Sequence, residues 1–170
     1  MNRRNILKSL AALSALSWLS PLTAASTPVN TIIAPLKKAK ADWKKLLPAA
    51  AYAVLFEEDT ERTNSSPLNK EYRDGTYICA ACYLPLFPSK SKFDSGTGWP
   101  SFTYPIEGRV GKKSDYKLIW PRTEYHCARC GGHQGHLFDD GPKPTGQRWC
   151  NNGVALKFIP KGNPLPALRT

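Results

Sequence analysis

The chain has 170 residues, a length typical of one domain with a short appended segment. Its 41% hydrophobic and 22% charged residues exclude a disordered acidic tail and a multi-span membrane protein. The 15 prolines and 12 glycines interrupt the sequence too often for a bundle of long helices, and they favour short strands joined by turns. The net charge of +11 makes the chain basic.

The first 25 residues have the pattern of a bacterial secretory signal. Arg3, Arg4 and Lys8 precede an apolar run over 9–19, and small residues follow. The paired arginines resemble the twin-arginine export motif, whose pathway carries folded proteins; an ordinary secretory signal or an uncleaved anchor is the alternative. Removing 1–25 takes three positive charges away and lowers the net charge from +11 to +8. We therefore expect a periplasmic bacterial protein without stable membrane insertion after signal removal, because no later segment is apolar enough to span a bilayer.

The sequence after the signal predicts a linker, two short helices and a loop. Residues 26–35 are polar and contain prolines, which is typical of a linker. Lysines and apolar residues at helical spacing predict an amphipathic helix over Leu36 to Leu47. Its basic face is either solvated or meets an anionic surface. Pro48 at a first-turn position and the apolar run from Ala49 to Phe56 predict a second helix, and the polar residues 57–75 predict a loop.

The pattern changes to that of short strands from Thr76 onward. Segments rich in β-branched or aromatic residues are separated there by glycines and prolines. This spacing predicts a mainly β domain, an antiparallel β-barrel or sandwich, which together with the helices spans 36–160. Residues 161–170 predict a loose tail. The predicted strands are Thr76–Ala80, Tyr116–Trp120, Thr123–Cys127, Gly135–Phe138, Gln147–Asn151 and Val154–Ile159.

Four of the five cysteines form two Cys-x-x-Cys pairs, Cys79 with Cys82 and Cys127 with Cys130. Each pair can present two thiolates from one tight turn, and two such turns facing each other form the closed tetrahedral site that zinc prefers. Two disulfides are the alternative in an oxidising compartment. Zinc explains the paired short spacings better, and export in the folded state allows the metal to be loaded in the cytoplasm. We therefore predict one structural zinc ion per chain.

The fifth cysteine, Cys150, is either a buried inert residue or a reactive thiol. Arg148 lies on the same face of the predicted strand, and a nearby cation favours the thiolate. His133, His136 and Asp140 precede it closely in sequence. This set is typical of a nucleophile with acid or base groups, and the histidines could instead fill a core or bind metal.

Three segments in order carry a family resemblance. They are 93–102 (FDSGTGWPSF), 127–142 (CxxCGxHxGHxFxDGP) and 148–152 (RWCxN), and two shorter stretches at 60–62 and 67–72 are also similar. These segments resemble the B-type peptide-methionine (R)-S-oxide reductases over about residues 60 to 160. The resemblance implies a β-barrel-like domain whose zinc lies away from the catalytic pocket.

The resemblance also implies the reaction and its residues. Protein-bound methionine-R-sulfoxide would be reduced to methionine, leaving a sulfenic acid on Cys150. His136 would protonate the departing oxygen, and Trp99 would pack against the methyl group of the substrate. The residues that would shape and orient the charge and water network around the oxygen are His133, Asp140, Arg148 and Asn152.

The implied partners are oxidised proteins and an external thiol reductant, either a thioredoxin-like protein or a small thiol. Thr97 stands where many family members have a resolving cysteine, so the route that regenerates Cys150 is expected to differ here. A nucleic-acid-binding zinc ribbon is disfavoured because the two cysteine turns carry alanines and only Arg129. A catalytically dead zinc barrel that serves as a binding or scaffold protein is the remaining alternative.

Overall fold

The computed structural model describes residues 33–117 and 120–170. The predicted signal over 1–25 and most of the linker predicted over 26–35 lie outside these residues. Within the described residues, no helix combines the length and the apolar character needed to cross a membrane.

Two helices open this part of the chain, α1 (Lys40–Leu46) and α2 (Ala49–Glu57). Both correspond to predicted helices, but α1 begins later than predicted. Leu36 lies outside the helix, and its backbone N–H donates a 2.6 Å hydrogen bond to the carbonyl of Arg129. The segment before α1 is thus hydrogen-bonded to the turn that contains Arg129, and the helix begins after it.

Pro48 separates the two helices. A proline disfavours helical backbone in the residue before it, and Leu47 is accordingly extended (φ −113°, ψ 148°). The helices pack through Trp43 and Phe56, whose rings stack with centroids 5.4 Å apart. The lysines of α1 are exposed, as the amphipathic pattern predicts.

Nine strands follow within the described residues, and every pairing between them is antiparallel. The mainly β class predicted from the sequence is confirmed. The strands are β1 (Gly75–Cys79), β2 (Pro85–Pro88), β3 (Lys92–Phe93), β4 (Ser101–Phe102), β5 (Val110–Asp115), β6 (Arg122–Cys127), β7 (His133–Phe138), β8 (Arg148–Asn151) and β9 (Leu156–Pro160). The sequence does not predict β2, β3 and β4, because they are too short to show an alternating pattern.

The strand predicted over Tyr116–Trp120 is wrong. The strand at this place is β5, and the described residues of the predicted segment lie in no strand. The middle positions of β5 are polar and exposed, so they lack the apolar alternation that marks a half-buried strand. β5 ends where the carboxylate of Asp115 accepts a 2.9 Å hydrogen bond from the backbone N–H of Lys117.

The strands form two sheets, one of order β2-β1-β9 and one of order β3-β4-β8-β7-β6-β5. Aromatic side chains fill the space between them. Phe87 of the small sheet stacks on Phe102 of the large sheet, with centroids 4.2 Å apart. Tyr125 and Trp149 pack edge to face at 5.0 Å and complete this core. The sandwich form of the prediction is compatible with this arrangement.

Residues 161–170 contain no helix or strand, yet the end of the tail is anchored. The backbone N–H of Arg169 donates to the carbonyl of Cys82 at 3.1 Å. The guanidinium of Arg129 donates to the carbonyl of Arg169 at 2.6 Å. The tail therefore contacts both cysteine turns.

Candidate active site and metal centre

The two Cys-x-x-Cys turns meet at one point. Cys79 and Cys127 end β1 and β6, and Cys82 and Cys130 lie in the turns that follow. The ligand atoms of all four lie within 4.8 Å of one another. The sulfurs of Cys79 and Cys130 are 3.7 Å apart, and those of Cys82 and Cys127 are 3.5 Å apart.

These distances fit a metal ion bound by four thiolates. A tetrahedron with zinc–sulfur bonds of about 2.3 Å has sulfur–sulfur edges of roughly 3.8 Å. Hydrogen bonds from neighbouring thiols, above all from Cys127, together with burial raise the pKa of Cys79. Four thiolates at such distances therefore require a cation. The donor set suits Zn²⁺, which prefers a closed site of four sulfurs.

The second candidate site is a small cavity of about 130 Å³ around Cys150. Cys150 lies in β8, and its direct neighbours across the sheet are Ser101 in β4 and His136 in β7. Directly paired residues share one face of a sheet, so the thiol and the imidazole lie side by side. The cavity is lined by Thr60, Trp99, Arg122, Gly135, His136, Phe138, Cys150, Asn151 and Asn152.

Trp99 and Asn152 hold the loop that forms one wall of this cavity. The indole nitrogen of Trp99 donates to the carbonyl of Glu61 at 2.9 Å. The side-chain oxygen of Asn152 accepts from the backbone N–H of Glu61, also at 2.9 Å. The backbone carbonyl and N–H of Glu61 are both held by these bonds, and the indole ring of Trp99 is oriented at the edge of the cavity.

Arg148 lies two residues before Cys150, almost fully buried. Its guanidinium makes two hydrogen bonds to the carboxylate of Asp140, at 2.7 and 2.9 Å, and lies over the ring of Phe138 at 4.2 Å. A bidentate pair of this kind fixes the direction of a guanidinium. The structure thus brings the predicted Arg148 and Asp140 together beside the thiol.

Opposing influences act on the Cys150 thiol. Burial raises its pKa, and the carboxylate of Asp140 adds to this effect. The charge and hydrogen bonding of Arg148 and a hydrogen bond with the Thr97 side chain lower it, but the net shift is upward. The predicted influence of Arg148 is therefore present, yet burial outweighs it and the resting group is a thiol.

The two histidines have different partners. The Nε2 atom of His136 lies 2.7 Å from a carboxylate oxygen of Asp115. The Nδ1 atom of His133 lies 2.8 Å from a carboxylate oxygen of Glu124. His136 lines the Cys150 cavity and a neighbouring cavity of about 360 Å³, whereas His133 lines only the latter. His136 is thus the imidazole nearer to the thiol.

The pKa of His136 is lowered, first because the ring is buried. The hydrogen bond to Asp115 acts in the opposite direction, and the charge of Arg122 adds to the lowering. The ring is therefore neutral at neutral pH in the resting protein. Asp115 would stabilise the imidazolium if the ring accepted a proton.

Sequence reasoning missed Asp115, Glu124 and Arg122, which hold or flank the histidines. Arg122 bonds Asp115 across β5 and β6 at 2.7 Å, where the two residues are directly paired. No local spacing relates these residues to the histidines. A correct prediction of β5 and of its pairing with β6 would have indicated that Asp115 lies opposite Arg122.

Thr97 lies on the loop that faces Cys150. Its hydroxyl is 2.8 Å from that of Ser95, which is in turn 2.8 Å from the hydroxyl of Ser101, the direct neighbour of Cys150 in β4. The Thr97 side chain also lies close enough to the thiol to lower its pKa. The residue that the resemblance places at the resolving position is therefore adjacent to Cys150.

Fold and sites together define a small β-sheet protein with a candidate metal site of four cysteines and a separate pocket built around a fifth cysteine. A SelR domain model matches residues 47–160. The chain belongs to the SelR domain family, and the resemblance drawn from its motifs is confirmed.

Three of the similar relatives are named peptide methionine sulfoxide reductase MsrB. A peptide methionine sulfoxide reductase MsrB from Bradyrhizobium diazoefficiens is 50% identical over 125 residues, covering 73% of this chain and 90% of the relative. One from Leptospira interrogans is 47% identical over 124 residues, covering 72% and 95%. One from Agrobacterium fabrum is 46% identical over 126 residues, covering 74% and 93%.

Proposed function

We propose that this chain is a peptide-methionine (R)-S-oxide reductase that reduces methionine sulfoxide in proteins. The observation that carries the proposal is the placement of Cys150, His136 and Trp99 around one small cavity. The relatives named above support it. The catalytically dead scaffold has no such support, because the thiol, the imidazole and the indole that the reaction needs all line the cavity.

The proposed step moves an oxygen atom from one sulfur to another. The sulfur of Cys150 attacks the sulfoxide sulfur and forms a transient S–S bond. The oxygen then forms a bond to the sulfur of Cys150 while the sulfoxide S–O bond and the transient S–S bond break. The oxygen ends as the hydroxyl of a sulfenic acid on Cys150, and the proton of the thiol ends on that oxygen. The products are methionine and Cys150 sulfenic acid, so the sulfoxide is reduced as the thiol is oxidised.

The proton needs a carrier because the resting Cys150 is a thiol and the departing oxygen must be protonated. His136 serves this purpose, since its neutral ring can accept the thiol proton and then donate it as an acid. Asp115 stabilises the imidazolium in between. Arg148, held by Asp140, faces the developing negative charge and favours the thiolate.

Trp99 and Asn152 act on the substrate side. The indole presents a rigid apolar face at the cavity edge, which suits the methyl group of the sulfoxide. Asn152 fixes the Glu61 loop to which the indole is bonded. His133, paired with Glu124 in the neighbouring cavity, shapes the charge around His136.

An assay with the separated R and S epimers of a sulfoxide peptide tests the proposed function. We expect turnover of the R epimer and little of the S epimer, because the apolar face, the acid and the nucleophile must each meet a different substituent of a pyramidal sulfur. Liquid chromatography of the methionine product measures both rates in parallel. Equal turnover of the two epimers, or none of either, would exclude this assignment.

We further propose that Cys79, Cys82, Cys127 and Cys130 hold one structural zinc ion. The ion would tie together two strand ends that are distant in sequence and would leave no open position for chemistry. It would lie outside the cavity, since none of the four cysteines lines it.

Regeneration of Cys150 is proposed to depend on an external thiol, either a thioredoxin-like protein or a small thiol. Thr97 cannot form a disulfide, and the other cysteines are assigned to zinc. The sulfenic acid is therefore attacked directly by the reductant. Without reductant, the enzyme should yield one equivalent of methionine and gain one oxygen atom in mass.

Thr97→Cys should give the enzyme a resolving cysteine. Because Thr97 is linked through Ser95 to Ser101, the direct strand neighbour of Cys150, we expect a disulfide between positions 97 and 150 after one turnover, and faster reduction by thioredoxin. Peptide mapping by mass spectrometry without reductant measures the disulfide. Asp94→Cys is the matched control, a position in the same loop that should stay unpaired. Absence of a disulfide between the introduced thiol and Cys150, or equal pairing in the control, would mean that Thr97 is not the facing residue.

Residues 1–25 are proposed to direct export through the twin-arginine route to the bacterial periplasm. The pair Arg3 and Arg4 before an apolar run supports this proposal. Replacing both arginines by lysine should leave the precursor in the cytoplasm, as cell fractionation would measure. Export that persists in cells lacking this pathway would contradict it.

A further inference from the structure

A continuous chain of hydrogen bonds connects the metal cluster to Cys150 through the core. The side-chain nitrogen of Gln134 donates to the sulfur of Cys79 at 3.6 Å. The side-chain oxygen of Gln134 accepts from the amide nitrogen of Asn151 at 3.4 Å, and this nitrogen also donates to the hydroxyl of Tyr125 at 2.8 Å. The hydroxyl of Tyr125 donates to the carbonyl of Cys150 at 3.2 Å.

The three linking side chains are completely buried. Gln134, Asn151 and Tyr125 each have 0% of their surface exposed. Polar groups in such a place are unfavourable unless they are hydrogen-bonded, so none of them is a chance occupant of the core. We call these three residues the buried relay.

The chemistry of the groups fixes the direction of every bond in the buried relay. A thiolate ligand only accepts hydrogen bonds here, so the nitrogen of the Gln134 amide must face Cys79. Its oxygen is then left for Asn151, whose two N–H bonds divide between Gln134 and Tyr125. The hydroxyl of Tyr125 accepts from Asn151 and keeps its own proton for the carbonyl of Cys150.

The backbone reinforces the same connection. The carbonyl of Gln134 accepts hydrogen bonds from the backbone N–H of Asn152 at 2.8 Å and from its side-chain amide at 3.0 Å. Asn151 is directly bonded in sequence to Cys150 and lies opposite Gly135 in β7. Gln134 therefore contacts the sulfur of Cys79 at one end and Asn151 and Asn152 at the other.

We propose that Gln134 is a positioning residue that retains the metal through Cys79 and, through Asn151 and Tyr125, fixes the backbone of Cys150. The inference rests on the proposed reductase function and on the proposed zinc. Its consequence is that the metal site and the catalytic thiol are coupled, although the metal takes no part in the chemistry.

The first test is the rate at which purified, zinc-loaded protein releases zinc to a coloured chelator. Gln134→Leu keeps the approximate volume but removes the hydrogen bond to the ligand sulfur. We expect release 10- to 100-fold faster, roughly the usual effect of losing an outer hydrogen bond at a metal site. Ser91→Ala is the control, because it removes another buried hydrogen bond, to Pro88, and should release zinc at the wild-type rate. The proposal would be overturned if Gln134→Leu released zinc at the wild-type rate, or if the wild-type protein bound no zinc.

The second test asks whether Asn151 acts on the metal through Gln134. Asn151→Leu should speed zinc release several-fold in the wild-type background and have no further effect in Gln134→Leu. A core residue with only a general structural role would instead give effects that multiply in the double variant. Multiplying effects would therefore refute the buried relay. If Gln134→Leu does not fold, Gln134→Met, which keeps the length of the side chain, replaces it in both tests.

The third test concerns the catalytic end. Tyr125→Phe removes only the hydroxyl that bonds the carbonyl of Cys150. We expect kcat to fall about tenfold with KM unchanged, because a thiol out of position slows the reaction without altering the Trp99 surface. Zinc release should stay within about twofold of the wild-type rate. An unchanged kcat would show that the buried relay does not position Cys150. If the wild-type protein itself reduces no sulfoxide, the proposed function fails, whereas zinc release still decides the role of Gln134.

Discussion

Cys150→Ser should abolish sulfoxide reduction, with a loss on the order of 10³-fold or more, as for other catalytic nucleophiles. The sulfur of Cys150 must accept an oxygen atom and become a sulfenic acid. A serine hydroxyl has no comparable oxidation state available, and its oxygen is a far weaker nucleophile. Turnover of a methionine-R-sulfoxide peptide with excess dithiol reductant measures the effect.

The fold of the Cys150→Ser variant should remain intact. Its side chain is partly buried at one edge of a cavity and makes no contribution to the aromatic core between the sheets. Metal content and thermal unfolding should therefore match the wild type. Ser91→Ala, which alters a buried side chain in another part of the fold, serves as the control for activity and should remain active. Undiminished turnover in Cys150→Ser would mean that a different group carries the reaction.

Cys79→Ser should have the largest effect on folding. Structural zinc sites contribute about 10–16 kcal/mol in small zinc domains, comparable to the whole free energy of unfolding of a typical protein, about 5–15 kcal/mol. Loss of one thiolate ligand removes much of that stabilisation, because the proposed zinc ion joins the two Cys-x-x-Cys turns. We expect the variant to lose its metal and to unfold, as elemental analysis and circular dichroism would show.

Cys150→Ser is the matched comparison for this experiment, because it removes a cysteine from the same chain without touching the metal site. It should bind one zinc ion per chain and keep its β-sheet spectrum. A fully folded Cys79→Ser would argue against a structural metal. Wild-type protein that contains no zinc but has two mapped disulfides would establish the alternative pairing of the four cysteines.

The sequence by itself determined the features that depend on short spacings and on motif. Each Cys-x-x-Cys turn is a local structure in which the N–H of a residue just beyond the second cysteine bonds back to the first, as Tyr83 and Gly131 do to Cys79 and Cys127. Their character as a candidate metal site could therefore be predicted from a few residues. The family motifs predicted Cys150 and Trp99 as site residues, and both line one cavity.

The pairing of each functional group with its partner was decided only by the tertiary structure. Asp115 meets His136 because β5, β6 and β7 are neighbours in one sheet in a particular register. The polar and exposed middle of β5 gave no alternating signal, so the strand was expected after Asp115 instead of before it.

The buried relay shows the same limit more clearly. Gln134 and Asn151 are polar residues in strands, which a sequence pattern assigns to a solvated face. They lie instead in the core, where the side-chain nitrogen of Asn151 donates to the side-chain oxygen of Gln134. Patterns of hydrophobicity record which residues avoid water, but satisfaction of a buried polar group depends on a partner that is distant in sequence, and only the packed sheets bring the two together.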